Sequence, residues 1–146
     1  MANHNIRRKA VRSALLWAGV YVAAMLARTC LFSGPFRIPI SPGALTLLST
    51  AISLVTRLTV LFMAGFTVGR RDAVHAVSYA ALAGAIAAVL ILLFDAVSLL
   101  VVGGGAIIGL LSQSPLISLA YVLVAFGLHV GVAAVGGLAG RRFRSR

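Results

Sequence analysis

The sequence predicts an all-α protein, an integral membrane four-helix bundle with both termini in the cytoplasm. Three observations lead to this fold class. Of the 146 residues 61% are hydrophobic and only 10% are charged, whereas charged residues make up about 25% of soluble domains. The apolar residues form four stretches of membrane-spanning length. The basic residues collect at one end of these stretches. A water-soluble globule and a disordered chain both fit this composition poorly.

The whole chain, 1–146, is predicted to be a single polytopic membrane domain. Its four spans are expected at 13–32, 44–68, 73–102 and 115–139, with basic tails at 1–12 and 140–146. The third span would be about 45 Å long as a helix, so it must tilt or project beyond a hydrocarbon core of about 30 Å. The turn around His75 is its expected projection. A cleaved signal peptide is the alternative for the first span, but small residues are missing where cleavage would occur, which favours a permanent span.

The basic residues predict the orientation of these spans. Short loops rich in arginine and lysine stay in the cytoplasm. Outside the basic clusters, only Arg37 lies in a loop between spans. The preference for arginine over lysine is a weak hint of a bacterial genome. We therefore expect a multi-pass protein of a bacterial cytoplasmic (inner) membrane, with these residues on the inside: Arg7, Arg8, Lys9, Arg12, Arg70, Arg71, Arg141, Arg142, Arg144 and Arg146.

The second and fourth spans have similar end signals. Both open with Ser-Pro, at Ser41 and at Ser114, which lies 73 residues later; serine caps a helix and proline suits its first turn. Both close with Gly-x-x-x-Gly-Arg-Arg, beginning at Gly65 and, 71 residues later, at Gly136. A duplicated 2+2 hairpin would explain these matches, and so would separate acquisition of common caps. Of the outer connections, 33–43 is expected to lie at the interface, and 103–111 to form a flexible turn or a re-entrant segment.

Small residues spaced four apart predict where the helices pack closely. The third span has Ala80, Gly84 and Ala88, and the fourth has Gly127 and Gly131 in addition to its terminal motif. Because the fourth span has glycines on more than one face, one face is available to a second subunit. The expected partners are a second copy, forming a homodimer, or other membrane subunits.

A polar stripe runs along the second span towards Arg57. Its hydroxyl side chains recur at steps of three and four residues, which places them on one helix face. They could hydrogen-bond neighbouring helices, as serine and threonine do in membrane bundles, or line a wet path. The stripe consists of Thr46, Ser49, Thr50, Ser53 and Thr56.

Four ionisable residues within the spans are the candidate functional site: Arg28, Arg57, Asp95 and His129. Arg28 is near the outer end of its span, where a long side chain reaches the headgroups. Arg57 is too deep for this, so we expect it to pair with Asp95, because an unpaired charge in the membrane is costly. His129 either joins this pair in a site for an anion or for protons, or is a neutral histidine bonded to a neighbouring group.

The sequence contains no motif typical of an enzyme, a metal site or a cofactor site. Nor is nucleic acid expected as a partner, because anchoring and contact with anionic lipid at the cytoplasmic face explain the basic residues. Two functions remain. The first is a non-catalytic accessory protein or complex subunit that acts through helix–helix contacts. The second is a small dimeric transporter or channel whose Arg57, Asp95 and His129 serve an anion or proton coupling.

Overall fold

The protein consists of four long helices in the part of the chain that the structure describes. The structure, a computed structural model, describes residues 2–33, 41–71, 74–103 and 115–144. Helices α1 (Ala2–Ser33), α2 (Pro42–Arg71), α3 (Ala76–Gly103) and α4 (Pro115–Arg144) account for nearly all of these residues. Each is long and apolar enough to cross a membrane. The prediction of an all-α chain with four helices of membrane-spanning length and hydropathy is thereby confirmed for the described residues.

The helix ends follow local sequence signals. α2 begins at Pro42, and Ser41 caps it by accepting a bond from Ala44 N (3.4 Å) and, through its carbonyl, from Leu45 N (2.9 Å). α1 begins at Ala2, so residues 2–12 of the predicted basic tail are helical and form the first part of α1. The predicted outer connections, 33–43 and 103–111, lie mainly outside the described ranges.

Consecutive helices run antiparallel. Ser13 near the start of α1 contacts Ala64 near the end of α2, whereas Arg28 near the end of α1 contacts Ser49 near the start of α2. In α3 and α4, Gly84 contacts Ala133, whereas Ala80, nearer the start of α3, contacts Gly137, so these helices are antiparallel too. The start of α1 and the end of α4 therefore lie at one end of the bundle. We call it the basic end, since it has the basic residues of three helices: Arg8, Lys9, Arg12, Arg70, Arg71, Arg141, Arg142 and Arg144.

Helices α2 and α3 form the centre of the bundle. Both contact α1 on one side and α4 on the other, and among the described residues α1 and α4 do not touch. The core is built largely from small side chains. Ala14, Ala83 and Ala87 are fully buried together with Tyr21, Leu61 and Ile91. Small residues allow close approach of helix backbones, and dispersion between these backbones holds membrane helices together.

The most extensive contact joins α2 to α4, and we call it the α2–α4 seam. A Cβ atom built on Gly65 would overlap the carbonyl of Ala133, and one built on Gly136 would overlap the carbonyl of Phe62. Gly69 and Gly140 make the corresponding contacts one turn further on, and the backbones meet without intervening side chains. Because the contacts advance together along both helices, α2 and α4 run parallel.

The seam is reciprocal. The contact of Gly65 with Ala133 has its counterpart in that of Gly136 with Phe62, each residue matching the one 71 positions away in the other helix. This is a local two-fold relation between α2 and α4. A two-fold axis relating two whole hairpins would also bring α1 against α4 as α3 lies against α2, and the described residues lack that contact. Duplication of the hairpin therefore stays a prediction.

Candidate functional site

Arg57 and Asp95 form an ion pair between the two central helices. The guanidinium Nη2 of Arg57 on α2 donates to the carboxylate Oδ2 of Asp95 on α3. The two side chains are 23% and 25% exposed, so most of each is removed from the surface of the bundle. An arginine and an aspartate in contact inside a membrane neutralise each other, which removes most of the cost of placing either there.

Tyr21 of α1 completes this pair, and the sequence reasoning did not single it out. Its hydroxyl donates to Asp95 Oδ1 at 2.9 Å and accepts from Arg57 Nη2 at 3.3 Å. The ring is fully buried, with its edge against Phe94 (centroids 6.1 Å apart) and the Arg57 Cζ atom 5.9 Å from its centroid. The available signal was a tyrosine in the middle of a span, because tyrosines in membrane proteins are concentrated at the interfaces.

Tyr21, Arg57 and Asp95 together are called here the polar junction. The junction ties α1, α2 and α3 to one another at a single level. One positive and one negative charge are matched, and the phenol acts as donor to one and acceptor from the other. Chemically, the junction is a hydrogen-bonded set that connects three helices.

His129 approaches the central helices from the opposite side, on α4. Its side chain is buried, with 5% of the residue exposed. Its Nδ1 is buried and has no hydrogen-bond partner of good geometry among the described residues. Since α1 and α4 flank the central pair, Tyr21 and His129 lie on opposite sides of it.

One part of the polar stripe of α2 faces α1, where Arg28 contacts it, and another part is exposed. Arg28 Nη1 donates to the carbonyl of Ser49 at 3.3 Å, and Ser53 Oγ lies 3.7 Å from Met25 Sδ, so this part of the stripe faces α1. Thr46 and Thr50 are exposed, and Thr50 Oγ1 donates to the Thr46 carbonyl of its own helix at 2.9 Å. Thr56 is half-buried. The stripe thus runs from an outward part to an α1-facing part.

A second polar contact between α1 and α2 lies nearer the basic end. Ser13 Oγ donates to the Ala64 carbonyl at 3.1 Å and lies 2.5 Å from Thr67 Oγ1. Ser13 is buried, and neither residue was among the sequence candidates. The only available signal was a hydroxyl side chain within an apolar span, which is common in membrane helices.

The small residues predicted to pack helices fall into two groups. Ala80, Gly84 and Ala88 are buried, and a Cβ atom on Gly84 would overlap that of Ala133 on α4. Gly127 and Gly131 are exposed, and a Cβ atom on either would meet nothing within 4 Å. These two glycines face away from the bundle. They form one wall of an apolar groove of about 380 Å³, whose lining is Phe62, Gly127, Leu128, Gly131, Val132 and Val135.

A comparable outward face on α1 was not recognised from the sequence. Gly19, Ala23 and Ala27 are all exposed, and a Cβ on Gly19 would meet nothing within 4 Å. Their spacing of four residues places them on one face, and Cys30, also exposed, falls on the same face eleven residues after Gly19. The signal was present in the spacing, but small residues are frequent throughout this chain.

No group of three histidine, cysteine, aspartate or glutamate side chains that could hold a metal ion occurs within the described residues. The chain matches no protein-family model, and neither the curated proteins nor the solved structures contain a significant match to it.

Proposed function

We propose that this chain is a non-catalytic accessory subunit of a bacterial cytoplasmic membrane, with both termini inside, which acts through helix–helix contacts. The orientation rests on the charge distribution: the basic end has arginines from three helices, and such segments are retained in the cytoplasm. The bundle topology is compatible with this orientation, because it brings the start of α1 and the end of α4 to the same end.

The polar junction, which ties α1, α2 and α3 together, is the observation that carries the proposal. Arg57 and Asp95 neutralise each other, and Tyr21 donates to one and accepts from the other. A subunit that acts by shape needs ionisable groups that hold its helices in one arrangement. A transport site instead needs such groups to exchange partners with a ligand or a proton, and here that would require breaking the Arg57–Asp95 ion pair and its bonds to Tyr21.

The outward face of α1 supplies the contact surface. Gly19, Ala23 and Ala27 present backbone with little side chain, which lets a partner helix approach closely. α1 lies at the side of the bundle, so this face is open along the middle of the span. We assign it to a helix of another membrane subunit or of a second copy.

Site-specific cross-linking in native membranes tests this assignment. A photoreactive residue at Ala23 is expected to give a protein adduct of defined mass, and Gly19→Leu is expected to abolish it. The matched control is the same photoreactive residue at Ala51, an exposed alanine of α2. Mild oxidation of the single cysteine, Cys30, reports a second copy as a disulfide-linked dimer, with Cys30→Ser as its control. Adducts to lipid alone at Ala23 would contradict the proposal.

His129 favours a second candidate function, a small transporter or channel. A buried imidazole whose Nδ1 has no hydrogen bond of good geometry among the described residues is a group that could accept a proton or a hydrogen bond from a passing ligand. Proton and chloride flux into liposomes containing the purified protein tests this function. Flux that is lost in Arg57→Ala or Asp95→Asn and kept in Thr50→Val supports it, and flux no greater than in protein-free liposomes refutes it.

A further inference from the structure

The apolar groove on the α2–α4 seam is continuous with a cluster of arginines at the basic end. Its α2 wall is aromatic: Phe62 and Phe66 stack with their centroids 6.1 Å apart. Arg70 follows Phe66 by four residues and therefore stands on the same side of α2, at the end of this aromatic wall. Along α2, the groove thus passes from apolar to cationic in one turn.

Along α4, the groove also changes from apolar to cationic towards the basic end. Gly131, Val135 and Arg142 follow one another at steps of four and seven residues, which keeps them on one face of the helix. Arg142 is exposed and lies about 10 Å beyond Val135 along the helix axis. Because lipid headgroups lie outside the hydrocarbon core, a lipid whose acyl chain lies along Val135 would place its phosphate towards Arg142.

Contacts at the basic end hold the two walls together. A Cβ built on Gly140 would lie 2.9 Å from the backbone nitrogen of Arg70, so the two helices are in close contact at this level. The Phe143 ring meets the Phe66 ring edge-on, with centroids 5.8 Å apart. Arg144 Nη1 donates to the Arg71 carbonyl at 2.7 Å, which satisfies a carbonyl at the end of α2. The arginines of two helices are therefore held in one cluster.

The arginine cluster has a net positive charge, which favours an anionic ligand. α2 and α4 contribute five arginines here: Arg70, Arg71, Arg141, Arg142 and Arg144. The carboxyl end of each helix opposes them with about half a negative charge, and Asp72 follows Arg71 in the sequence. The other acidic residue of the chain, Asp95, is bound to Arg57. The balance stays positive, and guanidinium groups match the geometry of phosphate oxygens.

We propose that the α2–α4 seam binds an anionic phospholipid, with its phosphate at Arg70 and Arg142 and one acyl chain in the groove beside Gly127 and Gly131. A phospholipid presents an anionic phosphate and an apolar chain in the same order as the arginines and the groove. Gly127 and Gly131 have a role in this arrangement, because larger side chains would fill the groove. The inference does not depend on the accessory function, which uses the opposite face of the bundle, on α1.

A tryptophan placed in the groove reports the bound lipid. In the Trp17→Phe/Phe62→Trp variant, the single tryptophan is quenched by lipids with brominated acyl chains. We expect quenching by brominated phosphatidylglycerol to exceed that by brominated phosphatidylcholine at equal mole fraction. Each arginine is expected to contribute about fivefold to this relative affinity, as basic residues near an anionic surface do. The wild-type protein, with Trp17 on α1, is the control and should show no preference.

Matched variants identify the elements of the site. Arg70→Gln/Arg142→Gln is expected to abolish the preference, whereas Arg8→Gln/Arg12→Gln, which removes the same charge from α1, should retain it. Gly131→Leu should reduce quenching by both lipids, because it fills the groove. Native mass spectrometry of phosphatidylglycerol retained by the protein without the reporter gives the same comparison should Phe62→Trp disturb folding.

Three results would overturn the proposal. Equal loss of preference in the α1 and seam variants would show general surface attraction instead of a site. Release of the lipid by soluble glycerol phosphate at constant ionic strength would show a site for free phosphate, without a contribution from the acyl chain. A change from dimer to monomer in Gly131→Leu, with unchanged lipid retention, would show that a second copy occupies the groove.

Discussion

The α2–α4 seam and the polar junction hold the same bundle together by opposite means. In the seam, Gly65 and Gly136 bring backbone against backbone. In the junction, Tyr21, Arg57 and Asp95 connect three helices through polar side chains. The seam depends on the absence of atoms, so any added atom must displace a helix. The junction depends on pairs of side chains, so the loss of one side chain can be offset by a change in the side chain that it contacts.

This difference teaches where the bundle is rigid. A backbone contact has no rotamers with which to accommodate a larger residue, whereas long side chains such as Arg57 can reorient. We therefore expect substitutions in the seam to cost more than substitutions in the junction.

Gly65→Leu is expected to have the largest effect. Its side chain would be forced into the backbone of Ala133, and overpacking against groups that cannot move costs about 3 kcal/mol or more. The measurement is the free energy of unfolding in detergent micelles, titrated with sodium dodecyl sulfate. Gly127→Leu is the control, because a Cβ there meets nothing within 4 Å. Equal losses in the two variants would show that the seam is not the rigid contact described.

Asp95→Asn is expected to cost about 2 kcal/mol, because it leaves the Arg57 guanidinium in the bundle without its counter-charge. The double variant Arg57→Gln/Asp95→Asn should recover part of this loss. A double-mutant cycle in the same unfolding assay should give a coupling energy of about 1 kcal/mol, within the range found for membrane helices. Strict additivity would contradict a functioning ion pair.

Tyr21→Phe is expected to cost about 1 kcal/mol. It removes the hydroxyl that donates to Asp95 and accepts from Arg57 but keeps the ring against Phe94. In Asp95→Asn the same change should cost less, because the hydroxyl has already lost its charged acceptor. A cost that is the same in both backgrounds would show that the hydroxyl contributes independently of its bond to Asp95, and no cost in either would show that the tyrosine acts through its ring alone.

Thr50→Val is expected to have the smallest effect, within about 0.5 kcal/mol of the wild type. Thr50 is exposed, and its hydroxyl bonds a carbonyl of its own helix. Ser53→Ala, which removes a contact with Met25 on α1, is the comparison within the stripe. A large loss in Thr50→Val would indicate that a partner covers this face in the membrane.

The number of helices, their approximate positions and the location of the charges could be read from the sequence, whereas the helix ends could not: α1 begins at Ala2, well before the predicted start at residue 13. Four apolar stretches, the Ser41-Pro42 cap and the arginines at the span ends are local features, because span length, capping and charge act over a few residues. The depth of Arg57 and Asp95 along their spans was also readable, and it was sufficient to predict their pairing.

Only the tertiary structure decided which face of each helix is inside. Gly65 packs against a backbone, whereas Gly127 borders an open groove, and both belong to similar apolar spans. Tyr21 became part of the polar junction only when α1 was placed beside α2 and α3. The physical reason is the solvent. Lipid is as apolar as a protein core, so hydrophobicity does not distinguish the buried face of a membrane helix from the exposed one, and only close packing between helices does.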